Sequence, residues 1–109
     1  MKRLTSLPLN AIRIRDPLFG HYSDKLHTGL IPYQWSMLNG MGGSDVPSGW
    51  LRNFRIAAGL ETGERYGMIF QDSDLAKWLE GVAYSLQTRP DAELEARADE
   101  DNQLLAQAQ

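Results

Sequence analysis

Residues 71–74, Gln-Asp-Ser-Asp, put a carboxamide and two carboxylates within four positions, directly ahead of a long apolar periodic run. Carboxylates this close can hold a sugar hydroxyl or serve as general acid and base, and a helix mouth is a suitable place to present them. Short polar side chains at such a place also accept hydrogen bonds from the unpaired amides of a helix start, and acids there oppose the helix dipole. We therefore read Gln71, Asp72 and Asp74 as helix-start residues first and as substrate-contacting residues second. No residue is assigned a catalytic role.

The other chemistry-bearing residues give weaker patterns. His21 and His27 stand six apart, which does not share one helix face as an i, i+4 metal pair would, so each reads as an ordinary imidazole. No metal site is expected. The chain has no cysteine, which removes disulfides, thiolate nucleophiles and thiolate metal ligands together. Gly40 to Asp45, GMGGSD, lacks the Gly-Lys-Ser/Thr ending of a phosphate loop and follows no strand, so it reads as a connector. Trp78 lies within an apolar stripe and is assigned to the core. For Trp35, beside Tyr33 and Gln34, packing and ligand contact both stay open. Spacing suggests no Ser/His/Asp arrangement and excludes none.

These residues need elements to hold them. Leu75, Trp78, Leu79, Val82, Ala83 and Leu86 recur at helical spacing and define a helix from Asp74 to about Thr88. Asp16-Pro17 opens another helix, running to about Leu26. Pro32 is expected to interrupt it, with a second piece from Pro32 to Asn39. A helix from about Ser48 to Ala58 ends at Gly59, a natural C-cap. Pro90 starts the last helix. There Asp101-Asn102-Gln103 falls where Leu94 and Ala98 call for an apolar residue. A buried, unpaired carboxylate costs several kcal/mol, so this helix is expected to be exposed or frayed. In residues 8–15, Ile12 and Ile14 alternate with Arg13 and Arg15, the pattern of a short half-buried strand.

The length of 109 residues suits one small domain. A hydrophobic content of 42% with 23% charged residues fits a folded chain, and a net charge of −3 argues against general nucleic-acid binding. Arg13, Arg15 and Lys25 make the head basic, whereas Asp91 to Asp101 is acidic. No stretch reaches membrane-spanning length, and Pro8, Asn10 and Arg13 break any leader-like apolar region. We expect no membrane partner and a cytoplasmic protein.

Three segments together resemble a known family: IPYQWSMLNG at Ile31 to Gly40, NFRIAAG at Asn53 to Gly59, and GMIFQDSDLAKWLEGVAYSL at Gly67 to Leu86. They are similar to the N-terminal part of glycoside hydrolase family 127, the β-L-arabinofuranosidase-like enzymes. IRIRDPLF and the closing LLAQAQ fit in the same order. The resemblance implies a mainly α chain, a partial (α/α)6 barrel of four to five helices with one short N-terminal strand. Residues 1–15 would be the strand or extended lead-in and 16–109 the barrel segment. It also implies removal of L-arabinofuranosyl units with retention, by a cysteine nucleophile at a zinc site of cysteines and a glutamate. None of those residues has a counterpart here, and the family's helix stays apolar at 101–103 and continues past the final Ala-Gln. The expectation is an N-terminal fragment that binds carbohydrate only within a complete enzyme and is inactive alone. The rival expectation is a stand-alone helical module that self-associates through its exposed apolar faces, and a third is a sugar-binding piece without turnover.

Overall fold

In a computed structural model, residues 4–43 and 48–109 are described. Five α-helices follow one another: α1 (Pro17–Lys25), α2 (Ile31–Leu38), α3 (Trp50–Ala57), α4 (Asp72–Thr88) and α5 (Ala92–Gln107). A π-helical turn, Leu26–Leu30, joins α1 to α2, so the five stretches make four rods. The expected mainly α class is what the structure shows. None of these helices is long and apolar enough to cross a membrane.

Local chemistry accounts for the ends. Asp16 caps α1, its Oδ1 accepting from the amides of Leu18 at 2.9 Å and Phe19 at 3.0 Å, and Pro17 fills the first turn, where no N–H is required. Gly40, at φ 73°, ends α2 with its amide on the Met37 carbonyl while Met41 donates to Ser36, the paired bonds of a Schellman motif. Gly59 closes α3 in the same way through Ile56 and Arg55, as its position in the sequence suggests.

Two expectations about the first half fail. No strand is present among the described residues: Leu9–Ala11 is a 3-10 turn, and Ile12 and Ile14 are exposed in an extended lead-in. The alternation at Ile12 to Arg15 stabilises a strand only if a partner pairs with it and one face is covered, and neither condition holds here. Pro32 also does not interrupt the rod. An interior proline removes one i→i−4 bond and crowds the carbonyl four residues back, and the wider π turn immediately ahead relieves both demands.

The core is built around α4. Leu75, Trp78 and Val82 of its expected stripe are buried, Leu79 and Leu86 are half-buried, and Ala83 points to solvent. Ile31 and Leu38 from α2, Leu51 from α3, and Leu94 and Leu104 from α5 complete the cluster. The Trp78 indole donates to the Ile31 carbonyl at 3.0 Å, joining α4 to the start of α2.

The last helix corrects a third expectation. It runs unbroken past Asp101, whose side chain is turned inward and only 7% exposed. Its Oδ2 accepts from the Trp35 indole at 3.1 Å, and Arg97 lies 4.8 Å over the same ring. The carboxylate is buried with a partner, which is why the helix neither frays nor turns it outward.

The connection from α3 to α4 is pinned rather than loose. Asn53, buried on α3, donates to the Tyr66 carbonyl at 2.7 Å and accepts from the Tyr66 amide at 3.0 Å. Asn53→Ala strands both backbone groups, and we expect a loss of about 1–3 kcal/mol in urea unfolding. An unchanged midpoint would show the clamp to be dispensable.

Candidate functional site

The residues at the start of α4 part company. Gln71 precedes the helix and turns back, its Oε1 accepting from the Met68 amide at 2.8 Å. Asp72 and Asp74 lie inside the first turn, where their charge opposes the helix dipole. Both oxygens of Asp72 are taken by Arg65 Nη2, at 3.0 and 2.9 Å. Of the three, Asp74 alone lines a cleft, where Lys77 pairs with it at 2.9 Å.

That cleft, about 440 Å³, lies between α2, the start of α3 and the first turns of α4. Tyr33, Trp50 and Trp78 give it aromatic walls, with Met37 and Leu38 beneath. Its polar groups are Gln34, Asp74 and Lys77, and Gln34 makes no side-chain hydrogen bond among the described residues. The indole N–H of Trp50 is buried without an acceptor, unlike any other side-chain N or O among the described residues. Apolar rings beside a carboxylate, a carboxamide and an ammonium suit a polyhydroxylated ring. The rings take its C–H faces and the polar groups its hydroxyls.

Sequence reasoning left Gln34 out because a glutamine on a helix carries no spacing signal. Only the rotation of α2, fixed by Ile31, Trp35 and Leu38 on its packed side, aims Gln34 and Tyr33 at the cleft. Ser44 and Asp45 of the glycine-rich segment lie outside the described residues.

A second arrangement was not legible in the spacing. His27, in the π turn, meets Ser85 Oγ through Nδ1 at 2.7 Å and Asp91 Oδ2 through Nε2 at 3.3 Å. This has the composition of a Ser-His-Asp triad, but a small recess of about 250 Å³ beside it is lined by His27 and Asp91 and not by Ser85. The half-buried Ser85 stands outside that recess, and the three residues tie together the first rod, α4 and the start of α5. Asp91 also caps α5, accepting from the amides of Leu94 at 3.0 Å and Glu93 at 3.1 Å. The Leu94 amide first, then the Glu93 amide and the His27 imidazole, hold its carboxyl below the usual range against desolvation, which pushes it up.

Residues 11–109 match the family described as β-L-arabinofuranosidase, GH127 catalytic domain. The non-reducing end β-L-arabinofuranosidase of Bifidobacterium longum subsp. longum is 37% identical over 110 aligned residues, which cover 90% of this chain and 17% of that protein. The crystal structure of a GH127 β-L-arabinofuranosidase from Geobacillus stearothermophilus T6 superposes with a TM-score of 0.85 at 50% identity, covering 89% of this chain and 15% of its own. The chain thus spans about a sixth of the length of these relatives. Its rods correspond to a segment of their helical barrel, and the chain belongs to the GH127 β-L-arabinofuranosidase catalytic-domain family.

Proposed function

We propose that this chain forms the part of a β-L-arabinofuranosidase barrel that holds the sugar, and that hydrolysis needs further residues beyond these 109. The cleft walled by Tyr33, Trp50 and Trp78 carries the proposal. Gln34 can both donate to and accept from ring hydroxyls, Asp74 accepts from one, and Lys77 donates. Gln71 and Asp72 act indirectly, fixing the start of α4 from which Asp74 projects.

The zinc and cysteine chemistry implied by the family resemblance does not fit the residues of this chain. There is no thiol in the sequence, and among the described residues no three His, Asp or Glu side chains gather as a metal site would require.

The test is a chimera in which these 109 residues replace the matching segment of the Geobacillus enzyme. Gln34→Ala and Asp74→Asn are each expected to raise KM for an aryl β-L-arabinofuranoside by about tenfold or more, the value of one hydrogen bond to a charged or well-placed group. Unchanged KM and kcat in both variants would remove the cleft from sugar binding. The alternative of a self-associating helical module draws on the exposed apolar residues of the first rod.

A further inference from the structure

Gln34 reaches the cleft only while α2 keeps one rotation about its axis. The helix has eight residues and follows a π turn, so regular winding of the rod does not set its phase. Ile31 and Leu38, buried at its two ends, lie seven apart on one line of the helix, and a short helix held along one line can still roll about it. With an outer radius of about 5–6 Å, a roll of about 20° carries a side-chain end about 2 Å sideways, more than a hydrogen bond tolerates.

Trp35 stands between these two contacts and directly follows Gln34. Its indole N–H donates to Asp101 Oδ2 of α5 at 3.1 Å, and the Arg97 guanidinium lies 4.8 Å over the ring. Its carbonyl accepts from Asn39 Nδ2 at 3.1 Å, and Asn39 Oδ1 accepts in turn from Arg55 of α3 at 3.2 Å. Among the described residues no other side chain of α2 hydrogen-bonds to another helix. The acceptor is a carboxylate, although a neutral amide would satisfy the indole without the desolvation that a buried charge suffers. What the charge adds is direction: an ionised acceptor bonds an N–H more tightly than a neutral one and fixes where the ring points. Arg55, in the recess of about 280 Å³ beside Asp101, offsets part of that charge.

We propose that Asp101 is a positioning residue for sugar binding: through the Trp35 indole it locks the roll of α2 and so keeps the Gln34 carboxamide on the cleft. Asp101 lines no part of the cleft and touches no sugar. It has this role only if the cleft is the sugar site, as proposed above, and it adds a residue from a helix that the cleft does not include.

The test uses the chimera with the Geobacillus enzyme and an aryl β-L-arabinofuranoside. Asp101→Leu suits the helix but offers the indole no acceptor, whereas Asp101→Asn keeps one. We expect Asp101→Leu to raise KM by about threefold or more with kcat unchanged, because the Gln34 hydrogen bond belongs to binding and not to bond cleavage. Asp101→Asn should stay within about twofold of the parent, since an amide oxygen still receives the indole. In a Gln34→Ala background, Asp101→Leu should raise KM no further, because the group it places is gone. An aspartate that only stabilises the fold gives another pattern, with KM unchanged while kcat per mole of protein and Tm fall together, and that result would overturn the proposal. So would an equal rise in KM with Gln34 present or absent, or a rise in Asp101→Asn as large as in Asp101→Leu. If Asp101→Leu does not fold, Trp35→Phe removes the donor, keeps a ring, and carries the same expectations. Loss of effect in both Gln34→Ala and Asp74→Asn removes the sugar site itself. A Gln34→Ala that raises KM beside an Asp101→Leu that does not overturns the positioning role alone.

Discussion

Trp78→Ala is expected to destabilise the chain by about 3–5 kcal/mol, the largest effect of any single substitution considered. The indole is only 5% exposed at the middle of the central helix, touches the core cluster, and donates to the Ile31 carbonyl at 3.0 Å. Truncation opens a cavity between α2 and α4 and breaks the polar tie between them. Total stability for a small domain is about 5–15 kcal/mol, and a chain that leaves this much apolar surface in water belongs near the lower end. The variant should therefore be substantially unfolded at 37 °C by circular dichroism, whereas Trp78→Phe, which keeps most of the volume, should retain a cooperative transition. A Trp78→Ala chain that melts like the parent would show that α4 is not the centre of the fold.

The second large effect lies at Asp101, where two substitutions should separate burial from charge. Burial lifts its carboxyl above the ordinary value of 3.8, while the Trp35 hydrogen bond and the Arg55 charge offset this only in part. The folded state thus holds the proton more tightly than the unfolded chain does. Its contribution to stability is largest at acid pH and declines as pH rises through the folded value. Asp91 runs the other way, because its lowered pKa contributes stability above 3.8 that is lost as pH falls through the folded value. Asp101→Asn keeps an oxygen for the Trp35 indole and removes the buried charge, so we expect equal or greater stability at pH 7. The acid limb should then fall more steeply, since the Asp91 loss is no longer opposed. Asp101→Ala leaves the indole N–H without its acceptor and should cost about 1–3 kcal/mol at neutral pH. Urea midpoints between pH 3 and 8 check both, and an Asp101→Asn chain weaker than the parent at pH 7 would refute the charge argument.

The helices were legible because their signals are local. Asp16-Pro17, Gly59 and the Leu75–Leu86 spacing depend on the residues within one or two turns, and each sits where that chemistry puts it. What failed depended on partners distant in sequence. The Ile12/Ile14 alternation means nothing without a neighbouring strand. Asp101 looked like a defect because Trp35, its partner, lies 66 positions away. His27 looked ordinary for the same reason, since Ser85 is 58 positions off. Of the candidate site, the sequence singled out Asp74 together with Gln71 and Asp72, but it could not tell which of them lines the cleft. That depends on Arg65 and Met68 occupying the other two. Gln34 became visible only once α2 was oriented.

The π turn at Leu26–Leu30 has a consequence for how the rod tolerates change. A residue inserted into an ordinary helix rotates everything beyond it by about 100°, so a single length change would swing Gln34 out of the cleft. A stretch already wound wider than its surroundings can absorb the loss of one residue by tightening to an α turn. The phase of the second half of the rod is thus set at this turn. The section bearing Tyr33, Gln34 and Trp35 would then keep its facing on the cleft when the turn ahead of it shortens, at the cost of the His27 contacts to Ser85 and Asp91.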